Sequence, residues 1–175
     1  AWDWLAGYFG NVKSFMDLVL EIKPTQVTLV PDKDNAITST AGWDTIKHNS
    51  FLKEVIQEFQ QNGIRTSIFI DTNTSFIEAA AKIGTDRIEL YTEYFASEFE
   101  KGNKEAIKSY TEAAILAHKL GLGINAGHDL SLKNIEFFKQ NIPNLDEVSI
   151  GHALIAESLY LGLENVVNMY IHRLQ

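Results

Sequence analysis

The sequence predicts an α/β protein built on a parallel sheet. Strand-like and helix-like segments alternate about five times along the 175 residues, the rhythm of repeated βα units. The strand-like segments are short and apolar, and the helix-like ones carry apolar residues on one face. Glycine or proline stops recur where one kind of segment gives way to the other.

Each element follows from local pattern. In the segment from Val12 to Ile22, apolar Val12, Phe15, Met16, Val19, Leu20 and Ile22 fall on one helical face. Lys23-Pro24 ends it, because proline disfavours helical dihedrals in the residue before it. QVTLVPD then reads as a buried strand closed by Pro31. Phe51 to Gln61 repeats the helical spacing through Leu52, Val55, Ile56 and Phe59, with Asn62-Gly63 as its stop. RTSIFID is the next strand. Ser75 to Ile83 is a short helix ending at Gly84, and RIELYTE is a strand. Lys104 to Leu120 is the longest helix, stopped by Gly121. GINAGHD is a strand with its loop, Leu132 to Gln140 a helix, and DEVSIGHA the last strand. Leu154 to Leu174 is a helix broken or bent near Gly162.

Two architectures share this alternation. One is an open doubly wound sheet; the other is a (β/α) barrel. A full barrel needs eight units and about 250 residues, so this chain is too short for a complete one. The run Gly121-Leu122-Gly123-Ile124-Asn125-Ala126-Gly127 is a poor dinucleotide fingerprint. Its glycines precede and enter a strand instead of following one.

Composition narrows the function classes. The formal charge of −8 disfavours a nucleic-acid surface, while a few backbone N–H groups still suffice to hold a phosphate. The absence of cysteine excludes disulfides, thiolate nucleophiles and Cys-rich zinc sites. No apolar run reaches the roughly 18 residues of a membrane span. The start, AWDWLAGYFG, lacks the basic flank and cleavage pattern of a signal peptide. Residues 1–11 read as an atypical apolar segment preceding a domain over 12–175. The expected setting is cytoplasmic.

Ligands of parallel α/β folds sit beyond the carboxyl ends of the strands. Those ends are Pro31-Asp32-Lys33, Asp71-Thr72-Asn73, Glu89 to Glu93, Asn125 to Asp129 and Gly151-His152. Glu89 lies between Ile88 and Leu90 and so points away from them. It reads as a carboxylate aimed into a pocket or as an ordinary salt-bridged glutamate. His128 follows Asn125-Ala126-Gly127, and reads as a general acid or base or as a loop histidine. Gly151-His152 repeats the Gly-His pair at the next strand end. With the helix that follows, it reads as a phosphate seat or as a tight turn. His48, His118 and His172 fall away from the strand ends and read as surface or structural groups. No metal-spaced cluster of His, Asp or Glu emerges.

The segments KPTQVTLVPDK, ITSTAGWD, GIRTSIFID, IGTDRIELYTEYFA, LGLGINAGHDL and VSIGHALIAESLYLGL, in this order, resemble the pyridoxine 5'-phosphate synthase family of deoxyxylulose-dependent vitamin B6 biosynthesis. The resemblance covers residues 12–172. It implies a (β/α)₈ TIM barrel, of which this chain carries about five of eight units, and a homo-oligomer (an octamer in the family). It implies a transferase that condenses 1-deoxy-D-xylulose 5-phosphate with 3-amino-2-oxopropyl phosphate, releasing pyridoxine 5'-phosphate, phosphate and water. No cofactor, metal, nucleic acid or membrane is implied.

By position, the resemblance makes His128 the proton donor and Glu89 the group that stabilises charge during ring closure. Thr38 binds the deoxyxylulose phosphate. Asp129 stands where the family usually has glycine, and with Gly151 and His152 binds the amino-ketone phosphate. The family has three further strands before the first helix matched here, with two more proton-transfer groups. The segment AWDWLAGYFG does not follow that pattern. By itself this chain is therefore expected to turn over little, and a non-catalytic phosphate-binding or assembly fragment is the alternative reading.

Overall fold

A computed structural model describes residues 14–31 and 37–175. Asp32 and Lys33, one of the expected strand ends, and the segment AWDWLAGYFG lie outside the described residues.

Helix α1, Phe15–Ile22, begins with a capping box in which Ser14 and Asp17 exchange hydrogen bonds. Strand β1, Gln26–Leu29, follows. Helix α2 is Asn49–Gln61 and strand β2 is Arg65–Ile70. Helix α3, Thr74–Ile83, is capped by the Asn73 side chain, which accepts from the Ser75 and Phe76 N–H groups. Strand β3, Arg87–Tyr91, leads into helix α4, Glu93–Glu100. The sequence reading has no helix there. Its buried residues, Phe95 and Ala96, are too few to make a periodic signal, and Phe95 is fixed by tilted and edge-on ring contacts with Phe99, Tyr110 and Phe138.

A short 3₁₀ turn, Lys104–Ala106, opens helix α5, Ile107–Lys119. Strand β4 is Gly123–Gly127, helix α6 is Ile135–Asn141, and strand β5 is Leu145–Ser149. The last expected helix is broken at Gly162 as its sequence implies. Helix α7, His152–Leu161, and helix α8, Leu163–Leu174, flank that residue, which has φ 82°.

The five strands are all parallel and lie in the order β1-β2-β3-β4-β5. This order decides between the two architectures. A doubly wound sheet reverses its strand order at a switch point, and none occurs here. With right-handed crossovers, unbroken sequential order sends every connection to the same face. That is the progression of a TIM-type barrel, here represented by five of its units.

The two faces of the sheet confirm it. Strand register places Val27, Leu29, Ile68, Ile70, Ile88, Leu90, Ile124 and Ala126 on one face, all buried in the common core. Leu52, Ile56 and Phe59 of α2, Ile77 of α3, Ala113 and Ala117 of α5 and Phe138 of α6 close over them. Each large aliphatic or aromatic side chain so buried contributes about 1.5–3 kcal/mol.

The opposite face is largely polar, with the aromatic residues Phe69 and Tyr91 towards its carboxyl end. Thr28, Ser67 and Arg87 are in register, as are Glu89, Asn125 and Glu147, and Gly127 with Ser149. The two arginines are tolerated there because they are paired. Arg65 meets Glu147 at 2.5 Å, Arg87 meets Asp146 at 3.0 Å and donates to Asn125 at 3.0 Å, and Asn125 donates to Glu147 at 3.2 Å.

Candidate functional site

Residues 37–43, ahead of α2, are the first piece of the site, because they are laid across the strand ends. The Trp43 indole N–H donates to Leu29 O at 3.1 Å, and the Trp43 backbone N–H donates to Phe69 O at 2.9 Å. The Gly42 N–H donates to the Asp71 carboxylate at 3.1 Å. A Cβ at Gly42 would stand 2.5 Å from Asp71 N and 2.6 Å from Ile70 C. The loop comes this close to β2 only because residue 42 has no side chain. The docked loop delivers Thr38 to the end of β4, where its hydroxyl meets His128 Nε2 at 2.9 Å.

His128 lies just past β4 in a turn of unusual backbone. His128 has φ 80° and Asp129 has φ 61°, both in the left-handed region that costs L-residues about 1–3 kcal/mol each. Hydrogen bonds on either side hold the turn. The buried Thr92 hydroxyl donates to Gly127 O at 2.7 Å and also contacts His128 O, and Asn134 donates to Asp129 O at 3.3 Å. The imidazole and the Tyr91 ring meet in a T-shaped contact with centroids 5.0 Å apart, and the Tyr91 hydroxyl donates to Ser39 O at 3.2 Å. The other ring nitrogen, Nδ1, is 3.0 Å from the Asp129 carboxylate.

A cleft of about 740 Å³ opens beside this ring, lined by Thr38, His128, Asp129, Gly151 and His152 together with apolar residues of α7. Five of the six expected site residues thus share one cavity, although they come from three separate segments of the chain. Gly151 precedes the first turn of α7, and His152 begins that helix. A helix N-terminus presents N–H groups without intrahelical partners and the positive end of the helix dipole, so it suits an anion.

Glu89 is the sixth residue, and it does not line the cleft. It lies on the polar face, buried to 7% exposure. Burial raises its carboxyl above the ordinary glutamate value. The Thr28 hydroxyl, 3.1 Å from Oε2, and a hydrogen bond from Ser149 act the other way, and the nearby Glu147 charge adds to the rise. The Glu89 carboxylate lies against Gly127. A Cβ at Gly127 would overlap Glu89 Oε1 and stand 3.1 Å from Ser149 Cβ. The glycine before His128 therefore makes room for the carboxylate on the neighbouring strand.

Sequence reasoning missed Thr28, Ser149, Thr92 and Tyr91. Thr28 and Ser149 carried no signal, since their bond to Glu89 depends on strand register. Thr92 and Tyr91 stood inside the expected strand-end segment Glu89 to Glu93, but nothing marked them out from their neighbours. Of the remaining histidines, His118 is on α5 and His172 on α8. His48 stands at the N-cap position of α2 without a capping hydrogen bond from its side chain, and its ring packs 5.3 Å from Trp43. Among the described residues, no group of three or more His, Asp or Glu side chains is placed to hold a metal ion, and no helix is long and apolar enough to cross a membrane.

Residues 9–175 match the model of a family described as pyridoxal phosphate biosynthesis protein PdxJ. The chain is 66% identical over 164 residues to a pyridoxine 5'-phosphate synthase of Christiangramia forsetii, covering 94% of this chain and 69% of the relative. It is 70% identical over 162 residues to the protein of the same name from Flavobacterium johnsoniae, covering 93% and 68%. To that of Cytophaga hutchinsonii it is 60% identical over 161 residues, covering 92% and 68%. The chain spans about two thirds of the length of these relatives.

Proposed function

From the premise that this chain belongs to the pyridoxal phosphate biosynthesis family PdxJ, we propose that it serves pyridoxine 5'-phosphate synthesis through the cleft at the ends of β4 and β5. The reaction is the condensation of 1-deoxy-D-xylulose 5-phosphate with 3-amino-2-oxopropyl phosphate. The observation that carries the proposal is the gathering of Thr38, His128, Asp129, Gly151 and His152 around one cavity.

Each residue has a part in it. Gly151, His152 and the start of α7 hold the phosphate of the amino-ketone, together with the backbone of Asp129. Thr38 binds the deoxyxylulose phosphate. His128 donates a proton from Nε2, the ring nitrogen on the Thr38 side. Glu89 stabilises positive charge in the ring-closing intermediate. A buried carboxylate with two hydroxyl donors is suited to that task, because a cation placed near it relieves the cost of keeping it ionised. No cofactor takes part in this scheme.

Self-association belongs to the same proposal. Ile155, Leu159 and Tyr160 of α7 are 59%, 80% and 90% exposed, a run of apolar surface next to the cleft. A homo-oligomer is the assembly that this supports. The biosynthetic role of the family supports a cytoplasmic setting.

The proposal is tested by calorimetric titration with pyridoxine 5'-phosphate, the product. We expect one site per chain. Absence of binding, or binding unaffected by changes at both His128 and His152, contradicts it.

A further inference from the structure

We infer that Asp129 is a positioning residue, whose carboxylate fixes the tautomer of His128. The inference rests on the reading of His128 as the proton donor, and goes beyond it in giving the Asp129 side chain a role of its own.

The geometry is specific. Asp129 Oδ2 lies 3.0 Å from His128 Nδ1, and Thr38 Oγ1 lies 2.9 Å from Nε2, so both ring nitrogens have a fixed partner. A carboxylate only accepts, so Nδ1 carries a proton whenever this bond is made. The neutral ring is then of the Nδ1–H form, and the proton gained or lost in chemistry is the one on Nε2. Thr38 suits both charge states. Its hydroxyl accepts from Nε2–H when the ring is cationic, and turns to donate when Nε2 is bare. The ring need not rotate as it gives up its proton, and the Tyr91 contact restrains it from doing so.

The backbone supplies a second argument. Asp129 is the residue after His128, and side chains of adjacent residues ordinarily diverge. Here both residues have positive φ, and the Thr92 and Asn134 bonds hold the intervening carbonyls. This turn brings the carboxylate back onto the imidazole. Asp129 has no capping duty for the following helix, whose N-cap is Asn134. Glycine would take φ 61° without strain, so the backbone of this position does not require an aspartate. A carboxylate engaged by Nδ1 is also turned to a partner other than the phosphate that the same cleft is proposed to hold, which removes an otherwise unfavourable pairing of anions.

The test is imidazole ¹⁵N–¹H correlation on histidine-labelled protein, at a pH about two units above the ordinary histidine value. His128→Gln assigns the signals. We expect native His128 to carry its proton on Nδ1. In Asp129→Gly, which relieves the backbone and removes the carboxylate, the proton should move to Nε2, the form neutral histidine prefers in water. Asp129→Asn, which tolerates the same φ and keeps an acceptor oxygen, should retain part of the Nδ1–H form. A native Nε2–H ring, or an Nδ1–H ring that persists in Asp129→Gly, overturns the inference. These readings need no ligand. The proton-donor reading fails separately, if bound pyridoxine 5'-phosphate leaves the His128 ring signals in place while the tautomer behaves as expected.

Discussion

Thr38 Oγ1 and His128 Nε2 are 2.9 Å apart across ninety positions of sequence. The contact ties residues 37–43 to the end of β4, and so closes one wall of the cleft. Replacing Thr38 by valine keeps the shape and removes the hydroxyl. The loss should be about 0.5–1.5 kcal/mol, the usual worth of one hydrogen bond. Urea denaturation should show it as a lower midpoint with unchanged slope.

Gly42→Ala should be more damaging than Thr38→Val. The new Cβ would meet the backbone of Ile70 and Asp71, which no rotamer change relieves. The loop must lift, and the bonds from Gly42 and Trp43 to Asp71, Phe69 and Leu29 go with it. A loss of about 1–3 kcal/mol is expected. Trp43 fluorescence should report the displaced indole. An unchanged spectrum and midpoint would show that the loop is not docked in this way.

Gly127→Ala places a methyl group where Glu89 Oε1 now lies. It should destabilise the protein by about 1–3 kcal/mol. The cost should fall when Glu89 is first shortened to alanine, because the clash is with that side chain. A double-mutant cycle measures the difference. Additive losses would place the strain elsewhere.

Glu89 also makes stability depend on pH, with a definite sign. Its folded-state value is raised, chiefly by burial, so the folded protein binds its proton more tightly than the unfolded chain does. This contribution favours the folded state below the unfolded value of about 4.5. It is lost as pH rises through the raised folded value. At neutral pH the ionised carboxylate is therefore a burden, and Glu89→Gln should raise the melting temperature there. The gain should shrink as pH falls through the glutamate range. A variant less stable than the native protein at neutral pH would mean that the hydrogen bonds from Thr28 and Ser149 outweigh burial.

Much of this was legible in the sequence, for physical reasons. Periodicity and helix stops located the strands because buried faces impose spacing, as Leu52, Val55, Ile56 and Phe59 show on α2. Strand order was not legible, since alternation alone fits both a doubly wound sheet and a barrel. The hydrogen-bond register of five strands resolves it. The site residues could be named from their strand-end positions and from the family resemblance. Their convergence could not, because it depends on Gly42 letting the loop approach β2. The Asp129–His128 pairing was hidden for a related reason. The two adjacent side chains meet here because the backbone turns left-handed at both residues, and neither histidine nor aspartate announces that turn.

His152→Ala should weaken phosphate binding in the cleft by about 10- to 100-fold, the range expected for one hydrogen bond to a charged group. Inorganic phosphate and pyridoxine 5'-phosphate serve as probes in calorimetry. An unchanged affinity for both would move the phosphate away from α7.

The central claim is that one cleft, between Thr38, His128 and His152, is where this chain receives its phosphorylated ligand. The five histidines supply the most direct measurement. Pyridoxine 5'-phosphate is titrated into histidine-labelled protein, and the five ring signals are followed separately. The account predicts that His128 and His152 shift together and saturate at one ligand per chain, while His48, His118 and His172 stay in place. Shifts confined to His118 or His172, or no shift at His128 and His152 with ligand demonstrably bound, would contradict it.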